Sequence, residues 1–224
     1  MALRYPDANL ILLAGSVVRQ QAKPGSDLDI IVLGSQEAPY RESFLAHDWP
    51  VEAFVHTSAS LELFCQKDIE RRRPSLPQML SESILIRGDL ELAEQVKTRA
   101  LTQLTAGPKP KTRLELDQAR YALTDLLEDF EAQDVDTALF ILPQLLSCFF
   151  DFFFDSQNLW RASSKWIPRE IKKHNPDLHQ TLKTAILAFH KENDATLVIS
   201  LIDRYLTPFG GRLFAGFTLG RDDV

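Results

Sequence analysis

Two short segments near the start of the chain carry the residues best suited to chemistry. Residues 12–16 read LLAGS, an apolar run that ends in glycine and serine, and residues 27–33 read DLDIIVL. Glycine lets the backbone approach a ligand closely, and the exposed N–H groups and the serine hydroxyl can bind phosphate oxygens. Alternate side chains of a strand share a face, so Asp27 and Asp29 are expected to point the same way.

Two carboxylates on one face repel each other unless a cation lies between them. A hard divalent cation such as Mg²⁺ takes oxygen ligands and brings nucleotide phosphates with it. The alternative is a strand capped by Ser26 whose acidic edge faces solvent. The apolar residues that follow Asp29 exclude an EF-hand loop.

The register from Gly15 to Asp29 resembles the signature of the nucleotidyltransferases of the DNA polymerase beta superfamily. That signature is Gly-Ser, about ten residues, and then Asp-hydrophobic-Asp, and small bacterial members extend it. The chain agrees with the extended form at Gly15, Ser16, Arg19, Ala22, Ser26, Asp27 and Asp29. Gln20 stands where the family usually has glycine, which puts the conformation of this turn in question.

The resemblance implies a third acid on a neighbouring strand. Residues 50–56, PVEAFVH, have strand composition, and Glu52 is their only acid. Glu52 is therefore expected to complete a metal-binding and catalytic set with Asp27 and Asp29, either as a direct ligand or as the base for the acceptor hydroxyl. An exposed acid on a half-buried strand is the alternative.

The resemblance also implies the cofactors and the residues that contact them. Two Mg²⁺ ions and ATP, as nucleotide donor, are expected. The residues expected to contact the nucleotide are Gly15, Ser16, Arg19, Ser26 and, in the second half, Lys165. For Lys165 a solvated side chain beside a packed tryptophan is an equally good interpretation.

A change of pattern divides the chain into two domains. Residues 105–112, TAGPKPKT, combine glycine and two prolines, which predicts a boundary between a catalytic domain, 1–106, and a helical domain, 107–224. In the first domain the pattern predicts strands near 9–14, 27–33 and 51–56 and helices near 39–46, 58–70, 75–83 and 89–104. In the second domain it predicts only helices, near 116–130, 136–158, 164–174, 177–191 and 194–206. The predicted fold class is α+β, a small mixed-sheet nucleotidyltransferase domain followed by an all-α bundle.

The most apolar segment, residues 138–154, contains Pro143, Gln144, Ser147 and Asp151 and is too short and too interrupted for a membrane span. It predicts a buried helix of the bundle, with Pro143 causing a kink or a later helix start. Asp151, among phenylalanines, either turns to solvent or is a buried, partnered carboxylate.

Composition narrows the classes of partner and the compartment. A formal net charge of −6 argues against a nucleic-acid binder, which needs a basic surface. Two cysteines imply no disulfide framework and, with no signal sequence, predict a cytoplasmic protein without membrane attachment. About eight residues precede the first strand, where relatives place a helix. Part of one sheet face is therefore expected to need another cover, and a second subunit in a homodimer is one candidate.

The two-domain plan resembles the aminoglycoside nucleotidyltransferases. This resemblance implies transfer of AMP from ATP to a hydroxyl of a small acceptor, such as an aminoglycoside, with release of pyrophosphate. An acidic stretch between residues 125 and 136 would favour a cationic acceptor if it faced the cleft, although a solvated helix face explains it as well. Two alternatives stay open: a transferase that modifies a protein or tRNA, as in toxin–antitoxin pairs, and a non-catalytic nucleotide-binding module.

Overall fold

The computed structural model describes Met1 and residues 3–220. The chain divides into two compact units, Met1–Pro108 and Lys109–Val224. The division falls inside the glycine- and proline-containing segment from which a domain boundary at residues 106/107 was predicted.

The first unit is built around one mixed sheet. Its elements in chain order are β1 (Leu10–Ala14), α1 (Gly15–Val18), β2 (Leu28–Leu33), β3 (Tyr40–Ala46), β4 (Trp49–His56), α2 (Ser58–Glu70), α3 (Ser75–Ser81), β5 (Ile84–Gly88) and α4 (Leu90–Ala106). The strand order is β3-β4-β2-β1-β5. β2 and β4 are parallel, and the other neighbours are antiparallel. With the helical region that follows, this confirms the predicted α+β class.

Each face of the sheet has its own apolar cluster. Buried residues of α2, α3 and α4 pack on the face that carries Leu12 and Ile31. On the other face, around Ile30 and Val55, Tyr5 is buried in the cluster and Met1 packs against it. The segment before β1 therefore covers part of this face without forming a helix, and a second subunit as a further cover stays a prediction.

The helix predicted near 39–46 is wrong, because Tyr40–Ala46 forms strand β3. Tyr40 and Phe44 are four residues apart, a spacing that suits a helix, but hydrogen bonding to β4 decides the conformation. Odd-numbered side chains from 41 to 45 are exposed, and even-numbered ones from 42 to 46 are partly buried, as a strand requires. Strand β5, which periodicity did not predict, pairs with β1.

The second unit is helical. Its helices are α5 (Arg113–Ala132), α6 (Val135–Ser156), α7 (Ile167–His174), α8 (Pro176–Glu192) and α9 (Thr196–Leu206), with short 3₁₀ turns at 164–166 and 207–209. The side chain of Asp134 accepts a hydrogen bond from the Thr137 N–H at the start of α6. Pro143 lies inside α6 and is exposed, so the alternative that this helix begins after the proline is wrong.

Helix α6 supplies much of the second core. It buries Phe149, Phe152, Phe153 and Phe154, which pack in one cluster with residues of α5, α7, α8 and α9. By length and composition alone, α6 would also suffice to cross a membrane. Within this structure the second half of α6 lies in the core, but Leu139 and Phe140 are exposed, so the prediction of a helix buried on most sides holds for the second half only.

Candidate active site

Gly15 forms the junction between β1 and α1, and its backbone conformation favours glycine. Its φ is +78°, in the region that favours glycine. A Cβ built on Gly15 would lie 2.8 Å from Cγ of Asp29 and nearer still to Oδ2 of the same side chain. The glycine of the motif is therefore required because the carboxylate of Asp29 packs directly on the backbone of residue 15.

The turn after Ser16 keeps its shape despite the departure at Gln20. Gln20 has φ of 57°, the left-handed conformation for which glycine is favoured. Its N–H donates to the carbonyl of Val17 at 3.0 Å, and the N–H of Gln21 donates to the carbonyl of Ser16 at 2.9 Å. Gln20 thus adopts the conformation that the missing glycine would adopt, at some cost in backbone strain.

Ser26 closes a second turn, immediately before the acids. Its N–H donates to the carbonyl of Lys23 at 2.9 Å, and its Oγ accepts a hydrogen bond from the N–H of Lys23 at 2.8 Å. Ser26 therefore holds the loop that leads into β2. The hydroxyl hydrogen is not used by the bond to Lys23, so it can donate to a phosphate oxygen.

Strand register brings three acids together. Asp29 of β2 is paired with Ala14 of β1 on one side and with Glu52 of β4 on the other. Asp27 lies two residues before Asp29. One oxygen from each of Asp27, Asp29 and Glu52 lies within 4.8 Å of the others, and all three residues are partly exposed. We call these three residues the acidic triad.

The chemistry of the acidic triad fits a magnesium site. Three carboxylates supply only hard oxygen donors, which Mg²⁺ prefers over nitrogen or sulfur. Partial exposure leaves room for the waters and phosphate oxygens that complete the octahedral shell of this ion. Because Gly15 packs against Asp29, a phosphate bound to such an ion would lie beside the N-terminus of α1.

A cation that sequence analysis did not find contacts the acidic triad. Nη2 of Arg41, on β3, forms an ion pair with Oε2 of Glu52. Arg41 was missed because its segment was predicted as a helix, in which it would bear no fixed relation to Glu52. No local signal in residues 40–46 places Arg41 beside Glu52, because their proximity depends on the register of β3 with β4.

Arg19 and Lys165, both predicted to contact the nucleotide, have other neighbours here. Nη1 of Arg19 forms an ion pair with Oε1 of Glu82, so a phosphate would have to share or displace that partner. Lys165 is exposed in the 3₁₀ turn of the second unit, with Nζ 6.0 Å from the centre of the Trp166 ring. Their contacts with phosphate stay predictions.

Two titratable residues outside the acidic triad, His56 and Asp151, have partners of their own. His56 is buried, with Nδ1 3.3 Å from Oγ of Ser60, and burial lowers its pKa, so the ring is neutral at pH 7. Asp151 accepts a hydrogen bond from Nη1 of Arg161 at 2.8 Å, and it is therefore a partnered carboxylate. The acidic residues between 125 and 136 are all exposed.

Comparison with known proteins finds a family match within the first unit. Residues 4–90 match the family model described as "Nucleotidyltransferase domain". This match supports a nucleotidyltransferase domain within the first unit. The match spans the glycine turn and the whole acidic triad, and it supports nucleotidyl transfer as the general activity.

A solved structure supports the same fold. It is described as a nucleotidyltransferase-like protein from Exiguobacterium sibiricum 255-15, and it shares 12% sequence identity with this chain at a TM-score of 0.50. The similarity covers 92% of this chain and 70% of that one. No curated protein matches this sequence. The nucleotidyltransferase domain is thus supported, whereas the likeness to the aminoglycoside enzymes stays a prediction.

Proposed function

We propose that this protein is a metal-dependent nucleotidyltransferase that moves AMP from ATP to a hydroxyl group of an acceptor. The observation that carries the proposal is the register of β1, β2 and β4, which places Asp27, Asp29 and Glu52 within 4.8 Å of one another. Gly15 lies against Asp29, so the phosphate-binding turn and the acids form one site.

The acidic triad would hold Mg²⁺, and two ions are proposed. When bound, these ions favour ionisation of the acceptor hydroxyl and neutralise charge on the triphosphate. The N–H groups at the start of α1 and the hydroxyls of Ser16 and Ser26 would donate hydrogen bonds to phosphate oxygens. These residues are positioned before substrate binds, so they stabilise charge in the transition state at little cost in reorganisation.

In the proposed reaction the acceptor oxygen bonds to the α-phosphorus while the bond from that phosphorus to the bridging oxygen breaks. Pyrophosphate leaves with the electrons of that bond, and the proton of the acceptor passes to a triad carboxylate, for which Glu52 is the candidate. The contribution of the protein is therefore positioning and charge stabilisation, without a covalent intermediate on the chain.

We propose a small, hydroxylated and cationic acceptor, such as an aminoglycoside. The formal net charge of −6 favours a cation over nucleic acid, and the exposed acids between 125 and 136 contribute to this charge. A macromolecular acceptor and a non-catalytic module are the outcomes against which the test is designed.

The test measures pyrophosphate release and label transfer from each nucleoside triphosphate with Mg²⁺, against aminoglycosides, lincosamides, tRNA and candidate proteins. We expect turnover with ATP and a small acceptor, and at least about a 100-fold loss in Asp27→Asn. Asp48→Asn, which removes an exposed acid in the β3–β4 turn, is the matched control and should keep full activity. Nucleotide binding without turnover on any acceptor would contradict the proposal, as would full activity of Asp27→Asn.

A further inference from the structure

The ion pair between Arg41 and Glu52 is fixed by the pairing of β3 with β4. In this antiparallel pair Ser43 is opposite Glu52 and Arg41 is opposite Phe54, so all four side chains share one face of the sheet. The Arg41 guanidinium lies over the Phe54 ring, with Cζ 5.0 Å from the ring centre. Stacking on Phe54 holds this cation beside the triad.

The ion pair engages one of the two oxygens through which Glu52 could bind a metal ion. Glu52 has only two carboxylate oxygens, and Oε2 is engaged by Arg41. The triad groups three carboxylates within 4.8 Å, so the positive charge of Arg41 offsets part of their mutual repulsion. A divalent cation approaching Glu52 would meet the same guanidinium and be repelled by it.

Arg41 is able to move away. Its side chain is 56% exposed, whereas that of Glu52 is 27% exposed. The long arginine side chain can rotate outward without opening the core, because the odd-numbered side chains of β3 are on its exposed side.

From this arrangement we infer that Arg41 is a built-in counter-cation of the acidic triad, which competes with a divalent metal for Glu52. Arg41 therefore sets the affinity of the site for metal. The inference rests on the proposed function, because it takes the acidic triad as the metal site. A residue that instead oriented Glu52 for the metal would have the opposite effect, since its removal would weaken binding.

The test is to titrate the protein with Mn²⁺ in the absence of nucleotide. Electron paramagnetic resonance measures the free Mn²⁺ at each step. Mn²⁺ binds to the same hard oxygen ligands as Mg²⁺. We expect Arg41→Met to bind Mn²⁺ about tenfold more tightly than the unmodified protein, because a unit positive charge near the ion is removed. Arg41→Lys keeps the charge and should stay near the original affinity.

Arg99→Met is the matched control. Arg99 forms an exposed ion pair with Glu62 in the same unit, so its loss changes the net charge equally without touching the triad. We expect its Mn²⁺ affinity to be unchanged. In EDTA, Arg41→Met should also unfold at a lower temperature than the unmodified protein, and saturating Mn²⁺ should close this gap, because the metal then supplies the missing positive charge.

The outcomes separate the inference from the function on which it rests. Equal or weaker Mn²⁺ binding by Arg41→Met, with normal binding by the unmodified protein, would overturn the role of Arg41 and leave the proposed function standing. Absence of Mn²⁺ binding in the unmodified protein and in Arg41→Met alike would overturn both.

Discussion

Replacing Gly15 by alanine should inactivate the site while leaving the fold largely intact. The new methyl group would lie 2.8 Å from Cγ of Asp29 and 3.0 Å from its Cβ. Non-bonded carbons are normally about 3.5–4.0 Å apart, so Asp29 must move by on the order of 1 Å. A misplacement of about 1 Å costs about 100-fold in rate. The positive φ adds about 1–2 kcal/mol of backbone strain to the folded state.

Gly25→Ala is the control for backbone strain. Gly25 has φ of +84°, close to that of Gly15, but apart from residues 24–26 no heavy atom of the described chain lies within 4 Å of the position of its Cβ. Urea unfolding should show similar losses of stability in the two variants, about 1–2 kcal/mol each. Only in Gly15→Ala should the rate of pyrophosphate release fall about 100-fold and Mn²⁺ binding be lost.

Two results would refute this reasoning. Normal turnover by Gly15→Ala would show that the position of Asp29 does not limit the reaction, or that the turn moves in its place. An equal loss of activity in Gly25→Ala would show that loop strain, and not contact with Asp29, is what matters.

Two further predictions concern stability. Arg161→Met should lower the free energy of unfolding by about 3 kcal/mol, because the carboxylate of Asp155 is only 3% exposed and accepts two hydrogen bonds from Arg161. Urea unfolding measures this loss. A loss below about 1 kcal/mol, the value typical of a surface pair, would refute the prediction. For His56, burial lowers the pKa in the folded state below its usual value of about 6.5. As the pH falls through that value, the unfolded state therefore takes up the proton first. The free energy of unfolding then declines until the pH reaches the pKa of the folded state. Unfolding measured from pH 7.5 to 5 should therefore depend less on pH in His56→Asn than in the unmodified protein. Identical pH profiles for the two proteins would contradict the assignment.

Most helices could be predicted from apolar residues that recur at three and four, and β1, β2 and β4 could be predicted from short apolar runs with strand composition. β2 is a run of apolar residues after two alternating acids, and α5 repeats its apolar residues at three and four. β3 could not be predicted in this way, because the spacing of Tyr40 and Phe44 suits either a helix or a strand. Hydrogen bonds to β4 determine that the segment is a strand. β5 is five residues long, and Ile84 is exposed, so it shows little pattern.

The candidate site also has one part that the local sequence predicts and another that depends on the tertiary structure. The spacing from Gly15 to Asp29 is local, and it was sufficient to propose a phosphate-binding turn beside two acids. The proximity of Glu52 depends on the parallel register of β2 and β4, which joins residues 23 positions apart along the chain. Arg41 on Glu52 and Glu82 on Arg19 come from other elements, so no local spacing could indicate them.

The amino-acid sequence alone was enough to predict the class of the fold, the chemical character of the motif and the side of the strand to which its acids point. These properties follow from backbone geometry over a few residues, where the period of two in a strand assigns each side chain to a face. Folding in three dimensions then chose which strands became neighbours and in what register, and it thereby completed the acidic triad and gave Glu52 its arginine partner. Such choices depend on the burial of whole faces and on hydrogen bonds between distant segments, whose energies no short stretch of residues contains.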